Sequence, residues 1–147
     1  VTLRKAGDTL FAFDSNYRTQ LWPDEDTARA TISAFWDIAD IALPSIDDEM
    51  ALRGQADEKP VIDWFSARSW TACAIKRGAR GPLSPTLETG RHPDFPPAQT
   101  VVDTTSAGDA FNGAFLAAFS RGEPIANCLS AGHKLASIVV GHRGAII

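Results

Sequence analysis

Apolar positions along this chain follow two rhythms. Short unbroken runs, "LFAFD" at 10–14, "IAL" at 41–43 and "TACAI" at 71–75, have the continuous character of strands buried on both faces of a parallel sheet. Between them the apolar spacing turns helical. Ala28, Ile32, Phe35 and Trp36 line one face of a helix that opens at Pro23–Asp24 and runs to about Asp37. "SIDDEMALRG" predicts a short helix with Ser45 as N-cap and Gly54 as its stop. Residues 55–59 read as loop, 61–68 as a weak helix, and 71–78 as a strand and its turn. Five prolines within 81–100 predict extended loop with edge-strand pieces. Two helices close the pattern, 106–121 and 124–142. The second opens at Pro124, and its run "LASIVV" predicts burial on most sides. At the other end, Arg4, Lys5 and Gly7 read as the last turn and C-cap of a helix running into the first strand.

Strand, helix, strand, helix, strand and two helices is an α/β order built on a parallel sheet. Three or four strands make a thin sheet with an open edge. With an opening in the last turn of a helix, this leads us to expect a piece of a longer fold. An open edge also invites pairing with a second copy, so a homo-oligomer is an expected partner.

The chain's 147 residues suffice for one core, and 44% hydrophobic with 22% charged residues is a globular balance. A net charge of −4 argues against nucleic acid and anionic membrane as partners. No apolar run approaches the ~20 residues of a membrane span. Cys73 and Cys128 stand far apart without a CxxC motif, so both are expected reduced and buried in a cytoplasmic protein. The three histidines have no metal-ligand spacing; His133 and His142 fall on opposite faces of any one helix. Trp22, Trp36, Trp64 and Trp70 form no stripe and read as packing.

The chemistry concentrates in "VVDTTSAGDAFNGAFLAAF", residues 101–119. Ser106 and Asp109 match a capping box, with the serine capping the helix and the acid reaching back. That reading leaves Gly108 unexplained, since glycine in a helix costs about 1 kcal/mol relative to alanine. Ala107 and Gly108 leave the first turn bare, and bare amides at a helix N-terminus form an anion site. A carboxylate beside such a site can take the proton of a substrate hydroxyl while the amides hold a transferring phosphoryl group. From the residues alone the two readings stand level.

"DTTSAGDAFNGAF" closely resembles the C-terminal signature of the ribokinase-like (PfkB) carbohydrate kinases. The resemblance implies a ribokinase-like three-layer α/β sandwich with a mostly parallel sheet. Residues 1–147 would be its C-terminal, nucleotide-binding part, without the N-terminal half of the sheet and the lid. It makes Asp109 the catalytic base and gives the anion hole to the backbone of Ser106, Ala107 and Gly108. "KRGARG" at 76–81 resembles the family's turn at the ATP phosphates, which implies nucleotide contacts from Lys76, Gly78 and Gly81; a solvated basic turn is the other reading. It is no Walker A loop, since GxxxxGK[ST] is absent.

"FDSNYR" at 13–18 resembles the F-D-x-N-x-R of fructokinases and 2-keto-3-deoxygluconate kinases. It implies that Arg18 meets substrate and nucleotide and Asn16 the nucleotide; an ion pair of Arg18 with Asp14 or Asp24 is the alternative. "LPSIDDE" at 43–49 occupies the slot of the family's N-x-x-E, with Ser45 in place of Asn and Asp48, or Glu49, in place of Glu. Asp48 would then organise Mg²⁺ indirectly, through water. A helix cap with a solvated acidic first turn explains the same residues. "SAGHKLASIVVGHRGAI" at 130–146 resembles the helices that wall the adenine pocket, with His133 at a nucleotide-contacting position, against the reading of a merely packed histidine.

The expectation that follows is an ATP- and Mg²⁺-dependent sugar kinase acting on 2-keto-3-deoxygluconate or a related sugar acid. Fructokinase is the nearest alternative, and a non-catalytic nucleotide-binding or interaction fragment is the alternative of another class.

Overall fold

The computed structural model describes residues 9–87 and 92–144. The helix end expected at 4–7 lies outside the described residues. The chain divides into two compact units, Val1–Ile75 and Lys76–Ile147.

The first unit is built on three parallel strands, β1 (Ala12–Phe13), β2 (Ile41–Ala42) and β3 (Ala72–Cys73), in spatial order β1-β2-β3. Ala12 faces Ile41 and Phe13 faces Ala42; Ile41 then faces Ala72 and Ala42 faces Cys73. Helix α1 (Glu25–Trp36) joins β1 to β2, and α2 (Ile46–Arg53) and α3 (Glu58–Ser66) join β2 to β3. Parallel neighbours in chain order, linked by right-handed crossovers, put all three helices on one face of the sheet. The packing agrees: Trp36 of α1 meets Phe13 of β1 at 4.5 Å between ring centroids, and Phe65 of α3 at 5.1 Å. Both residues of β2 and of β3 are buried, which is why these segments read as unbroken apolar runs.

Helix boundaries follow local chemistry. Asp24 caps α1, its carboxylate accepting from the Thr27 amide at 2.7 Å and the Thr27 hydroxyl at 2.9 Å. Gly54 ends α2 in the left-handed region at φ +61°, as its position after the apolar periodicity requires. Ser45 is the N-cap residue of α2, but its side chain makes no capping bond. Helix α3 begins three residues before the expected 61: Asp57 is its N-cap residue, and Pro60 is tolerated in a first turn whose amides need no helical acceptor. Each strand has only two laddered residues, shorter than its apolar run.

In the second unit, Gly78–Arg80 form a 3₁₀ turn, and α4 (Ala107–Ser120) packs against α5 (Ile125–Val139). The helices close on each other at Gly132, where a Cβ would come within 2.8 Å of the Phe111 ring. Phe115, Ala118, Cys128 and Leu129 are fully buried. Helix α5 stops at Val139, three residues short of the expected 142, because the chain turns there to receive the strand-like segment before α4. The Val140 carbonyl accepts from the amides of Val102 at 2.7 Å and Asp103 at 3.2 Å. Cys73 and Cys128 are free and buried, as expected. Trp36 and Trp70 belong to the core, with Trp64 stacked between the guanidinium groups of Arg53 and Arg68. Among the described residues no helix is long and apolar enough to cross a membrane.

Candidate functional site

The second unit brings two of the sequence's signals, the start of α4 and Lys76, to one place. Helix α4 starts after Ser106, which takes the left-handed conformation (φ +61°, ψ 9°), and its side chain makes no capping bond. A capping residue normally has extended backbone, which aims its oxygen at the first-turn amides. The left-handed turn of Ser106 turns it away from that role, so no capping box forms. Asp109 is exposed and has no hydrogen-bond or ion-pair partner among the described residues. In the first turn the Ala107 amide donates to the Thr104 carbonyl at 3.2 Å and the Ala110 amide to the Ser106 carbonyl at 2.9 Å. The amides of Gly108 and Asp109 are left with no protein acceptor among the described residues. A helix start with two free amides and the positive end of its dipole suits an anion.

Lys76 reaches this turn from the end of the last strand-like segment. A Cβ on Gly108 would stand 3.5 Å from the Lys76 ammonium, whose Nζ donates to Asn112 Oδ1 at 3.2 Å. Gly108 and Asn112 are one helical turn apart, on the same face of α4. The ammonium therefore lies beside the first turn of α4, on the face that Gly108 and Asn112 share. Lys76 and Gly108 are 32 positions apart, and only the tertiary fold joins them.

The turn after Lys76 is shaped by its glycines. Gly81, at φ +75° and ψ 161°, occupies a region open essentially to glycine alone, and a Cβ there would come within 2.5 Å of Phe95. Gly78 is also at positive φ, +56°, but faces open space. The Arg77 guanidinium closes the turn by donating from Nε to the Gly81 carbonyl at 3.2 Å.

Phe95 also packs on His133 of α5, at 5.2 Å between ring centroids, and His133 Nε2 donates to the Pro96 carbonyl at 2.8 Å. This is the packed reading of that histidine: it ties the proline-rich loop to α5. Asp103 ties the approach to α4. Its carboxylate accepts from the Thr105 amide at 2.9 Å and the Gly144 amide at 3.0 Å. The Thr105 hydroxyl and amide, then the Gly144 amide, hold its carboxyl below the ordinary carboxylate range.

The remaining sequence candidates belong to the first unit. Asn16 sits at φ +39°, its amide donating to Asp14 Oδ1 at 3.2 Å in an Asx turn. Arg18 is exposed and pairs with neither Asp14 nor Asp24, nor with any other described residue. Asp48 is half-buried on the first turn of α2. Glu49, its alternative, is fully buried: it accepts from Trp36 Nε1 at 3.2 Å and from Arg53 Nε and Nη2 at 3.1 and 3.0 Å. The buried Ser15 hydroxyl has no hydrogen-bond partner among the described residues. Burial pushes the Glu49 carboxyl above the ordinary range. Its oxygens are engaged by Trp36 and Arg53. Among the described residues no three His, Cys, Asp or Glu side chains gather as a metal site.

Sequence reasoning missed Asn112 and the fixing role of Asp103. Asn112 was within reach, since it lies four residues after Gly108 on a predicted helix.

The pattern of the pfkB family carbohydrate kinases matches residues 2–147. The chain is 33% identical to a 2-dehydro-3-deoxygluconokinase of Haemophilus influenzae over 99% of its own length and 47% of that protein's. It is 37% identical to a fructokinase-2 of Oryza sativa over 82% of its own length and 36% of that protein's. The crystal structure of aminoimidazole riboside kinase from Salmonella enterica, complexed with aminoimidazole riboside and an ATP analogue, superposes with a TM-score of 0.84 at 30% identity, covering 97% of this chain and 49% of that one. The chain thus spans about half the length, or less, of the relatives it matches. On a family pattern that runs through nearly its whole length, and on a fold shared with these kinases, the chain belongs to the pfkB family of carbohydrate kinases, with their ribokinase-like α/β architecture.

Proposed function

We propose that this chain is the C-terminal, nucleotide-binding part of an ATP-dependent kinase for 2-keto-3-deoxygluconate or a related sugar acid. The observation that carries the reading is the Lys76 ammonium close to Gly108, beside first-turn amides and an Asp109 carboxylate that have no partner among the described residues. In this reading the Gly108 and Asp109 amides hold the γ-phosphoryl oxygens as negative charge shifts onto them, at a turn that Ser106 and Ala107 leave bare; the Ala107 amide, expected in the anion hole, is instead engaged by the Thr104 carbonyl. Asp109 accepts the proton of the sugar hydroxyl as the sugar oxygen attacks the γ-phosphorus, while the bond from that phosphorus to the bridging oxygen breaks and ADP leaves with the bridging oxygen. Phosphoryl transfer gains most from positioning and charge stabilisation, so an exposed carboxylate is base enough. Lys76 and the Gly78–Gly81 turn hold the polyphosphate.

ATP fits this donor set, in which amides and an ammonium converge. Mg²⁺ would come as the nucleotide's own companion, held by phosphate oxygens and retained waters with few protein ligands; Asp48 is the proposed acid for an indirect role through water. Bound Mg²⁺ would neutralise charge on the phosphates. Arg18, without an ion-pair partner among the described residues, would meet the substrate carboxylate with its two-pronged guanidinium. Asn16, Ser45 and His133 are proposed nucleotide contacts, with His133 acting through its ring face because Nε2 is engaged.

The substrate rests on the Arg18 segment and on the Haemophilus influenzae relative. Fructose is the second reading, favoured by the likeness to the rice fructokinase. The test is ATP-dependent phosphorylation of 2-keto-3-deoxygluconate and of fructose by the protein in its full natural length, beside Asp109→Asn and Arg18→Ala. We expect activity on the acid sugar, lost by at least about 10³-fold in Asp109→Asn, and a larger effect of Arg18→Ala on the acid sugar than on fructose. Activity on fructose alone would replace the substrate and keep the base. ATP binding without turnover of any sugar would leave a non-catalytic nucleotide-binding module. A polypeptide limited to these 147 residues is expected to show little or no turnover.

A further inference from the structure

Asn112 has no part in the reading above, yet it is the residue that fixes the Lys76 ammonium to α4. A lysine carries four rotatable carbons, and its charge serves a bound phosphate only where the chain is held. Asn112 holds it with an amide oxygen. Such an acceptor orients the ammonium without cancelling its charge, which a carboxylate at the same position would do. The position is specific: one turn after Gly108, Asn112 draws Nζ to within 3.5 Å of where a Gly108 Cβ would stand, beside a first turn whose Gly108 and Asp109 amides have no acceptor among the described residues. Both Lys76 and Asn112 make further contacts, so the pair belongs to a network.

We propose that Asn112 is a positioning residue that clamps the Lys76 ammonium over the first turn of α4, so that ammonium and amides take the same phosphoryl group. The inference rests on the reading of that turn as the phosphate site. Lys76 is then the group in contact with the nucleotide, and Asn112 acts only through it.

The experiment is a double-mutant cycle in the full-length protein, read as the dissociation constant of a non-hydrolysable ATP analogue and as kcat/KM for ATP. Lys76→Met should weaken both by about 10- to 100-fold, the range expected for losing one hydrogen bond to a charged group. Asn112→Ala should weaken them by about 3- to 10-fold, since the ammonium remains but wanders. The double variant should be no worse than Lys76→Met alone. Asn112→Asp keeps the shape, pairs with the ammonium, and should weaken binding at least as much as Asn112→Ala, but only while Lys76 is present. Circular dichroism and the unfolding midpoint identify a variant that fails to fold, in which case Asn112→Asp carries the test.

Multiplying effects in the double variant would overturn the clamp, as would an Asn112→Asp protein that binds like wild type. In both cases the wild type still binds the analogue and the phosphate site stands. A wild-type protein that binds no ATP analogue would instead overturn the functional reading and the clamp with it.

Discussion

Replacing Gly108 by alanine should separate folding from phosphate binding. Gly108 lies in the first turn of α4, and the nearest atom to the position of a new Cβ, outside its own neighbourhood, is Lys76 Nζ at 3.5 Å. That is ordinary van der Waals contact, so the methyl needs no rearrangement of the fold. Alanine exceeds glycine in a helix by up to about 1 kcal/mol. The unfolding midpoint should therefore hold or rise, by at most about 2–4 °C for a chain of this size or larger. Phosphate binding should move the other way. An oxygen shared between the Gly108 amide and the Lys76 ammonium needs about 2.9 Å to each nitrogen. A methyl 3.5 Å from that ammonium crowds the same space. Losing one hydrogen bond to a charged group costs about 1.5–3 kcal/mol, or roughly 10- to 150-fold in kcat/KM. Calorimetric unfolding and steady-state kinetics on ATP, run on the same preparation, make the comparison. A Gly108→Ala protein with wild-type ATP affinity and turnover would refute the placement of a phosphate at this turn. One that loses both stability and activity would show that the methyl is not accommodated as the 3.5 Å contact implies.

Further outcomes are expected elsewhere. Gly81→Ala combines a backbone region nearly closed to other residues with a 2.5 Å approach to Phe95, and should destabilise by about 2–4 kcal/mol; Gly78→Ala, with open space around it, should cost only about 1–2 kcal/mol in the same denaturant titration. Glu49→Ala should lower the unfolding free energy by about 3–5 kcal/mol, because it leaves the Arg53 guanidinium and the Trp36 N–H without their acceptor; a loss under about 1 kcal/mol would contradict the buried pairing. Asp103 has a folded-state pKa below its unfolded value, so its contribution is present above the ordinary carboxylate range and is lost as pH falls through the lowered value. Hydrogen exchange at the Thr105 and Gly144 amides, corrected for intrinsic rates, should then lose protection below that point; Asp103→Asn should remove this pH dependence. His133→Ala should free the proline-rich segment around Phe95 and Pro96, seen as faster proteolysis there than in the wild type.

Much of the fold was legible in the chain. Apolar runs at 10–14, 41–43 and 71–75 marked strands, and the two closing helices were readable from periodicity, because burial leaves a local trace in residue type. Boundaries were less legible where a proline or a distant acceptor decided them. Helix α3 starts ahead of Pro60, and α5 yields at Val139 to amides from Val102 and Asp103.

The sequence by itself determined that a bare, acid-bearing turn opens α4 and that glycines shape the turn after Lys76. Backbone conformations and free amides are local properties, written in the residues that permit them. It could not separate a capping box from an anion site, because both need the same residues at the same spacing. The left-handed backbone of Ser106, whose side chain makes no capping bond, set the capping box aside. Nor could it choose between Asp48 and Glu49, which are adjacent and alike until burial assigns Glu49 to Trp36 and Arg53. The meeting of Lys76, Gly108 and Asn112 was beyond sequence altogether: it joins positions 32 and 36 apart, and only the packing of one segment against another sets distances between residues so far separated.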